Sequence, residues 1–309
     1  MPRLMRMRNR RGLTLAELLV TMLLLSIVGA ALTRVLVKQQ QAYKDLSATT
    51  AAKRELRLGA TALPAELRSV SSAGGDVTAM TESEITMRSY IGSSIVCERT
   101  SAGDRFWIPP ANLAHHTLTT FVYTPEVGDV LFVFNDDSLK GAEDDSWSEH
   151  QIVSLDNAAG GCATTPYTDP ALDVGKARRR YHVSPILPDS IKPGAVVRFS
   201  RPVRYKLYTE ASGAWYLGIQ EYRSGAWQAT SPLAGPFRPF ASGDANPSGL
   251  QFRYYDTLGV RITNMTQTGS VARVDVFLRT NAGVAAVTER QGNALRDSVL
   301  MRVGIRNYR

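Results

Sequence analysis

The sequence predicts an α+β fold: a long N-terminal helix, membrane-spanning in its first half and amphipathic in its second, packed on a β-rich antiparallel-sheet head. Three observations lead there. An unbroken apolar run follows a short basic leader. Apolar residues at 3–4 spacing continue well past that run. Beyond Ser71-Ser-Ala-Gly-Gly75 the apolar period changes from 3.6 to 2.

The leader, residues 1–12, carries Arg3, Arg6, Arg8, Arg10 and Arg11 and no acidic residue. The whole chain has a formal net charge of +8, and without these five arginines it falls to +3. The basic balance therefore belongs largely to the N-terminus, and the bulk charge is weak support for a nucleic-acid surface on the folded body. A hydrophobic content of 44% with 21% charged residues excludes wholesale disorder. Two cysteines exclude a disulfide-dense scaffold and a four-thiolate zinc site.

Residues 13–33 contain one charge, Glu17. As a helix they span roughly 31 Å, the thickness of a bilayer's hydrocarbon core. The arginines before the run place the N-terminus in the cytoplasm and the head on the extracytoplasmic side. A secretory signal peptide, with Gly29-Ala30-Ala31 imitating a cleavage site, and an uncleaved signal anchor are the competing readings. Neither accounts for Glu17, because a carboxylate in a membrane helix costs about 2.5–3.5 kcal/mol at mid-bilayer and needs a partner.

Arg11-Gly12-Leu13-Thr14-Leu15-Ala16-Glu17-Leu18, followed by the apolar helix, closely resembles the cleavage and methylation motif of type IV prepilins and type II secretion pseudopilins. The resemblance implies that a prepilin peptidase cuts between Gly12 and Leu13 and methylates the new amino group of Leu13. The family more often has Phe at that position. It also implies a partner for Glu17: the cationic amine of a neighbouring subunit, whose pairing offsets the desolvation of both charges. Within one chain Glu17 lies about 6 Å along the helix from Leu13.

Residues 34–70 hold few strong breakers. Leu56, Ala60, Leu63, Leu67 and Val70 form one apolar face. Pro64 is expected to kink or locally open the helix, with two separate helices as the alternative. A continuous rod from Leu13 to Val70 measures roughly 87 Å. The expected organisation is a leader at 1–12, a transmembrane or filament-core helix at 13–37, its amphipathic continuation at 38–72 and a head at 73–309. Residues 97–241 form either an inserted lobe of that head or an elaboration of one sheet.

In the head, Val203, Tyr205 and Leu207 alternate with polar residues. Ala211-Ser212-Gly213 separates them from Trp215-Tyr-Leu-Gly-Ile219, a hairpin signal. Ser224-Gly225 marks another turn before Trp227. Residues 249–254, 274–278 and the set Val299, Met301, Val303, Ile305 alternate again, as half-buried antiparallel strands do. The segments 128–133, 203–208, 215–218, Gly235-Pro236, 250–256, 273–278 and Arg306-Asn307 resemble PilW-type minor pilins and the J-class pseudopilins of type II secretion. That resemblance implies a minor subunit that assembles with other major and minor pilins and helps initiate or cap a filament. It also implies prepilin peptidase, an inner-membrane assembly platform and the membrane itself as partners.

Cys97 and Cys162 face an oxidising compartment under this topology; a disulfide is expected, with two structural thiols as the alternative. Asn135-Asp136-Asp137 and Glu143-Asp144-Asp145 supply oxygen donors without an EF-hand spacing, and read as a solvated acidic loop more than as a calcium site. Arg178-Arg179-Arg180 reads as an exposed loop with phosphate or an acidic partner as the sharper alternative. His115, His116, His150 and His182 fit no zinc helix, and no nucleophile elbow, Walker loop or dinucleotide fingerprint is present. No metal, cofactor or catalytic residue is expected. Three function classes remain: a structural filament subunit, a binding module such as a tip adhesin or DNA-uptake subunit, and a membrane-anchored enzyme.

Overall fold

The computed structural model describes residues 14–115, 117–136, 145–157, 162, 165–173, 175–241, 248–280 and 298–305. The chain divides into two compact units, one comprising 1–51 with 282–295 and the other 52–281 with 296–309. Helix α1 (Leu15–Ser69) contributes to both.

In the first unit the described residues are the start of α1. Its Leu- and Ala-rich composition suits a helix. Every residue from Thr14 to Tyr43 is exposed. Its most apolar 18-residue window has a mean hydropathy of 2.3, so the helix is long and apolar enough to cross a membrane. The serine and threonine hydroxyls of the apolar run bond to the helix itself. Thr21 donates to the Leu18 carbonyl at 2.9 Å, Ser26 to Leu23 at 2.7 Å and Thr33 to Gly29 at 2.8 Å. Such back-bonding pairs these three hydroxyl protons without water, as hydrocarbon requires.

In the second unit α1 is amphipathic. Leu56, Gly59, Leu63, Pro64 and Leu67 are buried, while Lys53, Arg54, Arg57 and Arg68 are exposed. The helix runs through Pro64 to Ser69 as one element, so the alternative of two separate helices does not hold. The bond lost at the proline is outweighed by burial of the face on either side, about 1.5–3 kcal/mol for each fully buried leucine. Ser71-Ser-Ala-Gly-Gly75, where the apolar period changes, is a pinned turn. Asp76 accepts from the Ser71 amide at 2.8 Å and from Arg198 at 2.9 Å, and Gly75 takes a φ of 78°.

Sixteen strands follow among the described residues, and all their pairings are antiparallel. They are β1 (Val77–Met80), β2 (Glu84–Ile95), β3 (Glu98–Arg99), β4 (Arg105–Trp107), β5 (Thr120–Phe121), β6 (Val130–Asn135), β7 (Ser146–Asn157) and β8 (Arg179–Ser184). Then come β9 (Val196–Thr209), β10 (Trp215–Arg223), β11 (Ala226–Trp227), β12 (Ser231–Phe237), β13 (Leu250–Tyr255), β14 (Arg261–Ile262), β15 (Arg273–Arg279) and β16 (Ser298–Gly304). One sheet runs β1-β2-β9-β6-β7-β8-β4-β3, with β10 also on β9, β11 and β12 on β10, and β5 on β2. The other runs β14-β13-β15-β16. The two-residue turn at Ser224-Gly225 has positive φ at both positions, 52° and 82°, as a type I′ hairpin requires.

Strand β9 organises the head. On one side it pairs with β2 along its length; on the other, residues 197–200 pair with β6 and residues 203–209 with β10. Its inward side chains therefore serve two cores in succession. Val203, Tyr205 and Leu207 join Leu56, Leu63 and Leu67 of α1 and the inner face of the four-stranded sheet in the first. Val197 and Phe199 join Phe106, Leu131 and Tyr181 in the second. Between them lies a polar layer. Arg201 faces inward at the fork and binds the fully buried Asp129 through two bonds of 2.8 Å, while its cross-strand partner Ser89 donates to Glu66 of α1 at 2.5 Å. Residues 91–199 thus build their own core while sharing β2 and β9 with the first.

Candidate assembly site

The exposed apolar start of α1 is the feature no single-chain packing explains, and Glu17 is its only acidic group before Asp45. Thr14 precedes the helix and Glu17 stands three residues on. The Thr14 amide donates to Glu17 Oε2 at 3.1 Å and the Thr14 hydroxyl to the same oxygen at 3.2 Å. In return the Glu17 amide donates to Thr14 Oγ1 at 3.3 Å. This reciprocal pair is a capping box. It satisfies helix-end donors and places the carboxylate at the positive end of the helix dipole. Thr14 was not singled out from the sequence, although Thr-x-x-Glu ahead of an apolar run is the signature for it. Gly12, Leu13 and the basic leader lie outside the described residues.

Residues 7–33 match the prokaryotic N-terminal methylation motif. The match supports a type IV pilin-like protein, a structural subunit of the pilin and pseudopilin kind processed by prepilin peptidase and assembling with other pilins. The apolar helix at the same place fits a membrane anchor. Comparison with curated proteins and with solved structures found no match to the chain.

The head's candidate residues fall into separate places. Cys97 and Cys162 are joined, with Cα atoms 5.4 Å apart, and both are fully buried. Beyond Cys162 the buried Asp173 carboxylate accepts from the amides of Ala114 at 3.1 Å and Asp169 at 2.8 Å and from Lys176 at 2.7 Å. These bonds, the Lys176 one foremost, draw its pKa down to about 2.

Of the acidic loop, Asn135, Asp136 and Asp145 are described; Asp137, Glu143 and Asp144 lie outside the described residues. Among the described residues no group of three or more His, Cys, Asp or Glu is placed to hold a metal.

The arginine triplet is not an exposed loop. Arg178 is buried, and Arg179 and Arg180 open β8. Arg180 binds Asp156 through bonds of 2.9 and 2.5 Å and lies 5.6 Å from the Trp107 ring. Of the three, Arg180 is ion-paired with a carboxylate.

The histidines are also apart. His150 is buried between the Pro185 carbonyl at 2.7 Å and the Ser148 hydroxyl at 2.8 Å, and desolvation lowers its pKa. His115 lies 3.6 Å from Asp169 and His182 lies 3.8 Å from Asp156. His116 and Arg306-Asn307 lie outside the described residues.

Proposed function

We propose that this chain is a minor pilin of a type IV pilus, built into the filament by its N-terminal helix and helping to initiate or cap it. The observation that carries the reading is the methylation motif at residues 7–33 on a helix whose apolar start is exposed among the described residues. Cleavage after Gly12 creates a cationic amine at Leu13, and Glu17 of the adjoining subunit takes it as counter-ion in the filament core. Before assembly the Thr14 capping box supplies local donors to that carboxylate. The head then stands on the extracytoplasmic side, where the Cys97–Cys162 bridge is stable. Its length and its two cores suit a specialised subunit rather than the repeating one.

N-terminal mass analysis of membrane-extracted protein tests this. The expected start is N-methylated Leu13; an intact Met1 in cells with active prepilin peptidase would overturn the maturation. A minor pseudopilin of type II secretion uses the same motif and helix. Loss of surface pili on deletion supports the pilus reading, and loss of secretion with pili intact supports the pseudopilus.

A further inference from the structure

Within the second unit, the acids and the cations of α1 are sorted onto different sides. Glu55 and Glu66 are half-buried and bonded to the head: Glu55 Oε2 accepts from the Gly235 amide at 3.1 Å, and Glu66 accepts from Ser89. Lys53, Arg54, Arg57 and Arg68 are exposed. A helix turns about 100° per residue, so these four fall within about 100° of arc. That arc lies outside the one holding the buried Leu56, Gly59, Leu63 and Leu67. Thr61, also exposed, stands among the cations.

Among the described residues none of these four cations forms an ion pair. By contrast Arg105, Arg223 and Arg261 of the head, also well exposed, have a carboxylate at 3.1, 2.5 and 3.3 Å. Arg57 stands four residues after Lys53 and three after Arg54. Side chains at those spacings are neighbours on a helix, and like charges there repel. Arg68 meets the negative end of the helix dipole in the last turn; the other three have no such local use. The helix thus carries a repulsive cluster that neither of its own acids relieves. Leu58, 43% exposed, borders it.

We propose that this stripe seats an unlike subunit of the filament, one that presents a carboxylate-rich surface to Lys53, Arg54 and Arg57. The proposal rests on the filament reading above and names the chemistry of the neighbour. The stripe belongs to the same helix whose exposed apolar start that reading places against other subunits. Opposite charges across a contact attract the right partner, and like charges reject the wrong one. Two copies of this chain meeting at the stripe would set cation against cation. The stripe therefore disfavours a like neighbour and admits an acidic one, with Leu58 as the apolar anchor of the contact.

In the full chain, Thr61 is replaced by the photo-crosslinker p-benzoylphenylalanine, and cells assembling filaments are irradiated. The expected product is an adduct with a different N-methylated subunit whose crosslinked peptide is rich in Asp and Glu. Arg57→Glu is expected to lower its yield at least about tenfold. The same substitution is expected to leave thermal unfolding of the purified chain unchanged or raised, because it replaces repulsion from Lys53 and Arg54 with attraction. Changing the crosslinked acids of the partner to lysine is expected to restore the adduct with the Arg57→Glu chain. An adduct with lipid, with a second copy of this chain or with a peptide lacking acids overturns the proposal, as does a yield that Arg57→Glu leaves unchanged. No adduct in filaments that contain the N-methylated chain overturns the stripe alone. An unprocessed Met1 start in cells with active prepilin peptidase overturns the filament reading and the stripe with it.

Discussion

Asp129→Asn keeps the shape of the side chain at the fork of β9 and removes its charge. Asp129 is fully buried, and the Arg201 side chain facing it is 4% exposed, so the guanidinium left behind has little water to turn to. Both 2.8 Å charge-assisted bonds lose their ionic partner. Glu126 at 3.9 Å and Glu221 at 3.8 Å remain, but both are partly solvated and beyond hydrogen-bond distance. Breaking a buried pair by neutralising one partner is expected to destabilise the head by about 3–5 kcal/mol. The assay is urea unfolding of the full chain in detergent, followed by near-UV circular dichroism and tryptophan fluorescence. Arg201→Met is expected to be comparably harmful, since it strands a carboxylate. The double variant Asp129→Leu with Arg201→Met is expected to recover most of the loss, because an apolar pair of similar volume replaces a desolvated ionic one. A loss below about 1 kcal/mol in Asp129→Asn, or single losses that simply add in the double variant, would refute the account of the polar layer.

Three further outcomes are expected. Glu17→Val should insert in the membrane but fail to recruit neighbouring subunits; immunogold or shear-fraction analysis of assembled filaments checks it, and normal incorporation would remove the proposed role. Gly59→Val should destabilise the head by about 1–3 kcal/mol, because a Cβ there already meets Leu278 Cδ1 at 2.6 Å, while Gly59→Ala should be milder since that contact is the end of a flexible side chain; thermal unfolding measures both. Asp173 has a depressed folded pKa, so its stabilisation is fully present above the ordinary carboxylate pKa and is lost as pH falls toward about 2. An acid titration of amide protection at Ala114 and Asp169 should show that loss, and Asp173→Asn should abolish that component.

The helix and the strands of the head were legible because each rests on a local period. Leu56, Leu63, Leu67 and Val70 announce their face by 3–4 spacing, and all four are buried. Val203, Tyr205 and Leu207 announce theirs by alternation, and all three enter the first core. What was not legible depends on register between distant segments. Arg201 continues the same alternation, and nothing local says that Asp129 will meet it across a fork. Gly59 reads as a weak point in a helix, whereas it is the place where Leu278 of β15 comes closest. The arginine triplet misled because three adjacent charges suggest a solvated loop; the Arg179, Tyr181, Val183 alternation carried the opposite signal. Helix α1 continues through Pro64 as one element because the buried leucines on either side of it pack on the sheet beneath.

A single ribbon, β9, underlies both halves of the head, and this divides its labour. The stretch from Val203 to Leu207 serves the half that seats α1, while Val197 and Phe199 serve the half built around Phe106, Leu131 and Tyr181. Variation in the outer loops can therefore remodel what the subunit touches without disturbing the surface on which α1 is moored. Such a division lets a polymer keep one fixed socket while presenting interchangeable tools.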